Sequence, residues 1–252
     1  MKRGGAESEG RGTISGVDVR ALVFDVFGTV VDWRGGVIRE GSELSESRGW
    51  PADWPAFADA WRERYVPSMN RVRTGELPWT NLDGLHRDSL DELLVEFGVA
   101  DLATEADRER LVHAWHRLDP WPDSIPGLTR LRARGPIAPL SNGNVSLLVD
   151  MARRAGLPWD LVLSAELVRR YKPDPETYLS APALLDLEPG QVLMVAAHLN
   201  DLAAARACGL RTAYVRRPAE WGPDGRAPEP GPEDTIDLVV DSLTELADRL
   251  DV

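Results

Sequence analysis

Lysine is almost absent from this chain: of 29 cationic residues only Lys2 and Lys172 are lysine, and the rest are arginine. An ammonium is a compact, strongly hydrated point charge, whereas a guanidinium is a planar fork. Lys172, the one internal position that keeps an ammonium, is therefore marked for a role arginine does not fill. Cysteine is scarcer still, and the single Cys208 excludes an intramolecular disulfide and any multi-cysteine zinc site. Long apolar runs are missing. The longest, residues 192–197, is far shorter than the roughly 20 residues a membrane-spanning helix needs. Residues 1–18 also lack the apolar stretch of a secretory signal, so the expected setting is cytoplasmic, with no membrane partner. Cationic excess is lacking as well: 29 Lys and Arg against 41 Asp and Glu give a net charge of −12. That balance excludes a broad surface for nucleic acid, and an anionic ligand needs a local cationic pocket. Neither a G-x-x-x-x-G-K loop nor a G-x-G-x-x-G fingerprint occurs, so ATP and NAD have no support and no cofactor is expected.

What remains is an ordinary globular composition, 43% apolar and 28% charged in 252 residues, suited to one large domain or a domain with an insertion. Short apolar runs at 21–24, 137–140, 161–163, 192–197, 212–215 and 238–240 are bounded by polar or glycine-containing turns and read as buried strands. From residue 137 onward they alternate with helical stretches at 145–155, 175–187 and 202–208. This predicts an α/β fold with a parallel sheet covered on both faces. Between the first two strands lie helix-spaced stretches around 54–65, 82–97 and 104–118. They read as a helical insertion over residues 35–117 that could act as a lid. It holds seven of the nine tryptophans, counting Trp33 and Trp121 at its margins, which predicts a small apolar core of its own. The remaining core then spans 19–34 and 118–252, and residues 1–18, rich in Gly, Ser and charge, read as a flexible tail. Residues 216–233 contain five prolines and predict a long loop at the sheet's carboxyl edge.

Ligands of open parallel sheets bind outside the carboxyl ends of the strands. Four segments there carry polar residues: Asp25-Val26-Phe27-Gly28-Thr29, Ser141-Asn142-Gly143, Tyr171-Lys172-Pro173-Asp174, and Ala197-His198-Leu199-Asn200-Asp201. In order they supply a carboxylate, a hydroxyl with an amide, an ammonium and a second carboxylate. A carboxylate removed from water at the end of an apolar strand needs a cation, and Lys172 is the natural partner for Asp25. The Thr29 hydroxyl would orient that carboxylate. Asp201 can also cap a helix beginning at Leu202. Asp32 reads as fixing the turn into the insertion. His113 and His116 have no carboxylate at a ligand spacing, so no metal site is expected there, and His86 reads as structural.

These segments, in this order, resemble the four motifs of the haloacid dehalogenase-like hydrolase superfamily over roughly residues 20–217. Trp61-Arg62 in the insertion adds a similarity to the type II L-2-haloacid dehalogenases. The resemblance implies a Rossmann-like core with an inserted helical cap and a homodimer. Phosphatases of the superfamily resemble Asp-x-Asp at the first motif, where this chain has Phe27, and carry a further aspartate where it has Ala197. An alkoxide leaves poorly without a proton donor, whereas a halide needs none, so the substitution suits carbon–halogen cleavage. Losing a hard oxygen ligand also weakens a magnesium site.

The implied activity is hydrolytic dehalogenation of short 2-haloalkanoic acids, fluoroacetate among them, to 2-hydroxy acids through an aspartyl ester. No metal is implied. Asp25 would be the nucleophile, Asp201 the base for water, and Lys172 the balancing charge. Arg62 and Asn142 would face the halide or carboxylate, with Ser141 binding the carboxylate and Phe27 or Trp79 forming an apolar wall. His198, which stands where better-known dehalogenases resemble asparagine, would donate to departing fluoride. A magnesium-dependent phosphatase and a noncatalytic binding protein of the same fold remain the alternatives.

Overall fold

The computed structural model describes residues 18–252, so nearly all of the proposed N-terminal tail lies outside the described residues. The first strand, β1 (Ala21–Phe24), is buried along its whole length. Its side chains alternate between two apolar clusters: Leu22 and Phe24 face one, Ala21 and Val23 the other. That two-residue period is what a strand covered on both faces requires. After β1 a two-residue strand, β2 (Val31–Asp32), pairs antiparallel with β3 (Asp119–Pro120). Between them run α1 (Trp33–Arg48), α2 (Trp54–Arg73), α3 (Leu82–Glu96), α4 (Glu105–Val112) and a 3₁₀ turn at His113–Arg117.

The chain then completes the sheet through α5 (Ser124–Leu131), β4 (Ile137–Ser141), α6 (Val145–Ala155), β5 (Leu163–Ser164), α7 (Ala165–Val168), α8 (Pro175–Leu185), β6 (Val192–Ala196), α9 (Leu199–Ala207), β7 (Arg211–Val215), β8 (Leu238–Val240) and α10 (Leu243–Arg249). Six strands pair in the order β5-β4-β1-β6-β7-β8, and every pair is parallel. β1 is central, with β4 on one side and β6 on the other, so the carboxyl end of β1 opens at the point where the strand order reverses.

The expected α/β class is therefore found, with local differences. α1 escapes a periodicity reading because Gly35, Gly36 and Gly41 lower its helical propensity. Two of them are packing sites: a Cβ at Gly41 would lie 2.1 Å from the Trp54 ring, and one at Gly36 2.5 Å from the Leu118 side chain. The strand expected at 161–163 is displaced to Leu163–Ser164, where it pairs only with Leu140 and Ser141 at the sheet edge. α9 starts at Leu199, three residues before the expected start.

The helical segment has no separate apolar core. Trp54, Phe57, Trp61 and Trp115 belong to one cluster with Leu22, Phe24 and Val195 of the sheet. Phe27 bridges the two parts, its ring edge-on to Trp115 at 5.6 Å and to Tyr65 at 6.3 Å. His116 makes a polar bridge, with Nδ1 to Asp150 of α6 at 2.9 Å and Nε2 to Asp83 of α3 at 3.1 Å. No helix among the described residues is long and apolar enough to cross a membrane.

Candidate active site

Asp25 directly follows β1, and its backbone N–H donates to the Val195 carbonyl, carrying the sheet's pairing one residue further. The chain then turns at Gly28, whose φ of +83° is the left-handed region where a Cβ is strained. This turn brings Thr29 back beneath the carboxylate. The Thr29 hydroxyl accepts from the Ala197 N–H at 2.9 Å, which leaves its own proton for Asp25 Oδ2 at 2.7 Å.

Lys172 reaches the same carboxylate from the loop after α7. Its Nζ lies 3.4 Å from Asp25 Oδ1 and 2.7 Å from Asp201 Oδ2, while Tyr178 on α8 donates to Asp201 Oδ1 at 2.5 Å. Burial would raise the Asp25 carboxyl, but Lys172, His198 and Thr29 hold it well below the usual carboxylate range. At Asp201 burial, together with the Asp25 charge, wins over Lys172 and Tyr178, and the carboxyl is pushed up. Burial works against the Lys172 ammonium, yet the two carboxylates raise it and keep it charged. Two aspartates in one site are thus driven in opposite directions, one toward a permanent anion and one toward a proton acceptor.

Over this group opens a cavity of about 340 Å³. The helical segment supplies Arg62, Tyr65, Val66 and Met69 from one face of α2, and the sheet side supplies Phe27 and Asn142. Arg62 is half-buried, its guanidinium 4.3 Å from the centre of the Tyr65 ring and 5.4 Å from that of Trp33, and its buried Nη1 has no hydrogen-bond partner. A half-buried cation with an unmatched donor favours an anion. Asn142 Oδ1 accepts the Lys172 backbone N–H at 2.9 Å, tying the two loops together.

Asp25, Phe27, Arg62, Asn142, Lys172, His198 and Asp201 therefore line one cavity, with Thr29 directly beneath. Trp79 and Ser141 do not line it. Trp79 stacks on Tyr171 at 4.8 Å and faces a neighbouring hollow, because Tyr171, the residue before Lys172, points away from Asp25 to donate to the Thr80 carbonyl. The Ser141 hydroxyl is buried and accepts from the Gly143 N–H, so it shapes the turn that presents Asn142.

His198 is corrected too. Its Nδ1 meets Asp25 Oδ2 at 3.1 Å and its Nε2 meets Glu220 Oε1 at 2.9 Å, so neither nitrogen is free for a departing fluoride. Asp201 does not cap its helix, since Lys172 and Tyr178 take its oxygens. Asp32 does cap α1, accepting from the Gly35 N–H at 2.8 Å.

Three contributors escape the sequence reading. Tyr65 follows Arg62 by three residues, the helical spacing that puts both on one face. Tyr178 sits six residues beyond Lys172 and carries no motif. Glu220 arrives from the 216–233 loop, which Arg217 pins by donating to the Thr29 carbonyl and, bidentately, to Asp123.

The donor set does not fit the magnesium ion that phosphatases of this fold would need. An ammonium lies between the two carboxylates, Phe27 and Ala197 contribute no oxygen ligand from their side chains, and among the described residues no three His, Cys, Asp or Glu side chains are placed to hold a metal.

The model for haloacid dehalogenase-like hydrolases matches residues 19–209. (S)-2-haloacid dehalogenase 1 of Pseudomonas sp. strain CBS-3 is 32% identical over 203 residues, covering 79% of this chain and 85% of that protein. A crystal structure of a defluorinating L-2-haloacid dehalogenase is 45% identical, with a TM-score of 0.89 over 93% of this chain and 96% of the other. The L-2-haloacid dehalogenase of Xanthobacter autotrophicus with chloropropionic acid covalently bound is 25% identical, with a TM-score of 0.77 over 92% of this chain and 98% of that one.

Proposed function

The chain belongs to the haloacid dehalogenase-like hydrolases, and on that premise we propose that it hydrolyses short 2-halogenated carboxylic acids to 2-hydroxy acids. The observation that carries this reading is the Asp25 carboxylate, held anionic by an ammonium shared with Asp201, at the floor of a small cavity whose cap-side wall is an arginine. Asp25 attacks the halogen-bearing carbon as the halide leaves with the bonding pair, forming an ester. Arg62 receives the substrate carboxylate or the departing halide. Water then adds to the ester carbon, and Asp201 takes its proton. The covalent adduct in the Xanthobacter autotrophicus relative supports an ester intermediate.

Fluoride belongs within the leaving-group range of this reading, supported by 45% identity to a defluorinating relative. Residues 35–117 act as the cap, since α2 supplies the cavity wall. A cytoplasmic homodimer completes the proposal, checked by size-exclusion chromatography with light scattering.

The direct test measures halide released from chloroacetate, fluoroacetate and (S)-2-chloropropionate with EDTA present. Release from chloroacetate and (S)-2-chloropropionate, undiminished by EDTA and lost in Asp25→Asn, is expected. Absence of release from all three overturns the proposal. Magnesium-dependent hydrolysis of an aryl phosphate would then point to the phosphatase alternative, and silence in both assays to a binding protein.

A further inference from the structure

One half-buried ion pair in the site has no task in the sequence of steps above. His198 lies between two carboxylates, Asp25 on its Nδ1 side and Glu220 on its Nε2 side. Glu220 is 4% exposed and also accepts from the Trp33 indole at 3.1 Å. The site is shaped around it: a Cβ on Gly28 would lie 2.2 Å from Glu220 Oε1, so the turn after Phe27 has room for this carboxylate only as glycine. Acceptors on both ring nitrogens require both to carry protons, which makes His198 an imidazolium. Against burial, Asp25 and Glu220 push its pKa up to about 10.

The Asp25 oxygens are not equivalent. Oδ2 accepts from both Thr29 and His198, whereas Oδ1 faces only the more distant Lys172 ammonium at 3.4 Å. The less solvated Oδ1 is the better nucleophile, so Oδ2 is left as the carbonyl oxygen of the ester, already within reach of two donors.

We propose that Glu220 holds His198 as a doubly donating cation whose Nδ1–H, with the Thr29 hydroxyl, forms the oxyanion hole for hydrolysis of the Asp25 ester. His198 is then a catalytic residue and Glu220 a positioning residue. This rests on the dehalogenase reading and adds to it.

In the step itself the water oxygen bonds to the Asp25 carboxyl carbon and one water proton passes to Asp201. The carbonyl pair moves onto Oδ2, where the two donors meet the new negative charge. Collapse restores the carbonyl and breaks the bond from that carbon to Oδ1. The departing alkoxide takes the proton from Asp201, and the second water proton leaves Asp25 for solvent. Esterification removes the Asp25 charge, and from then on Glu220 is the carboxylate that keeps the ring protonated. The pair therefore matters in the second half of the reaction and little in the first.

Rapid-quench measurement of chloride and glycolate from chloroacetate separates the halves. In Glu220→Gln a burst of one chloride per site should persist at near the wild-type rate, while glycolate formation slows about 10- to 100-fold and the Asp25 adduct accumulates in intact-mass spectra. The hydrolysis rate of this variant should fall between about pH 6 and 9, where the wild type stays level, because a ring lacking its anionic partner loses its proton near its ordinary value. His198→Gln, which keeps an amide donor without the charge, should slow glycolate formation far more than the chloride burst.

Equal slowing of chloride and glycolate in both variants, or hydrolysis at the wild-type rate in either, overturns the proposal. A wild-type enzyme that releases no chloride and forms no adduct fails earlier, at the dehalogenase reading itself, and takes the proposal with it.

Discussion

Replacing Lys172 by methionine keeps most of the side-chain volume and removes the cation that Asp25 and Asp201 share. At an effective dielectric near 20 the attraction is about 5 kcal/mol across 3.4 Å and about 6 kcal/mol across 2.7 Å. Desolvation of the three groups offsets much of that in the intact site, so the relevant quantity is the cost of stranding buried carboxylates, about 3–5 kcal/mol. For a chain of this length that is a fall in Tm of roughly 10 °C. The pair can recover part of the loss by binding a proton between its members.

The sign follows from linkage. In the wild type Asp25 is depressed, so its contribution to stability is present above the unfolded value of about 4 and lost as pH falls through the folded value. In the variant a proton is welcome, so the deficit in Tm should be largest in mild alkali and shrink as pH falls toward about 5. A proton shared between the two carboxylates, with no ammonium left to align Asp25, weakens its attack on carbon. Halide release at pH near 7 should drop by about 10³-fold, the equivalent of ~4 kcal/mol, and the residual rate should climb with pH. Parallel thermal melts and chloride-electrode assays across the pH range check both halves. A variant within tenfold of wild type, with an unchanged pH profile, would refute the claim that this ammonium keeps the nucleophile ionised.

Arg62→Lys keeps the charge but loses the planar fork, and the KM for chloroacetate should rise about 10- to 100-fold, from the worth of a charge-assisted hydrogen bond; an unaltered KM in steady-state assays removes Arg62 from substrate binding. A single turnover in ¹⁸O water should give unlabelled first product, because its new oxygen comes from Asp25; labelled product on mass spectrometry means that water attacks the substrate directly. Gly28→Ala forces a Cβ into the left-handed region and onto Glu220, so thermal melts should show a loss of about 1–3 kcal/mol or more, and an unperturbed Tm contradicts the packing described. His116 is raised by Asp83 and Asp150 against burial, so its stabilisation is full below the unfolded value of about 6.5 and is lost as pH rises through the folded value. The Tm gap between wild type and His116→Gln should accordingly be wider at about pH 5.5 than at about pH 9.

The sheet and the four loops at its carboxyl end were legible because each buried strand ends abruptly in a polar residue, and parallel topology puts such ends together. Asp25, Asn142 and Asp201 meet for that reason, and Lys172 joins them from the loop after α7. Arg62 and Tyr65 meet on α2 by helical spacing alone. Trp79 was misplaced because a tryptophan beside a proline in a loop gives no direction. Its orientation is set by Tyr171, whose own orientation depends on a carbonyl 91 residues away. Glu220 was invisible for a like cause. It lies in a proline-rich stretch without period, and what aims it inward is Arg217 anchoring to Asp123 and to the Thr29 carbonyl, contacts that span 94 and 188 residues. Periodicity reports which face of an element is buried, whereas aperiodic loops are placed by such single long-range contacts.

The charges of the site explain why these departures from the phosphatase pattern fit one another in this chain. Asp25, Asp201 and Glu220 bring three negative charges, and Lys172, His198 and Arg62 bring three positive ones. A haloacid adds one negative charge through its carboxylate, and forming the ester passes the Asp25 charge to the halide, which carries it out of the site. Once the halide has gone the site is again balanced, with the substrate carboxylate standing in the account where Asp25 stood. A divalent ion placed between Asp25 and Asp201 would upset that balance and occupy the position of the Lys172 ammonium. A second carboxylate at position 27 would lie in the apolar contacts that Phe27 makes with Tyr65 and Trp115. Phe27, Ala197, Lys172 and the His198–Glu220 pair are thus parts of one electrostatic solution. Reinstating aspartate at position 27 alone should destabilise the protein without creating a phosphatase, and a stable Phe27→Asp variant with magnesium-dependent phosphatase activity would show that the site had kept its metal chemistry in reserve.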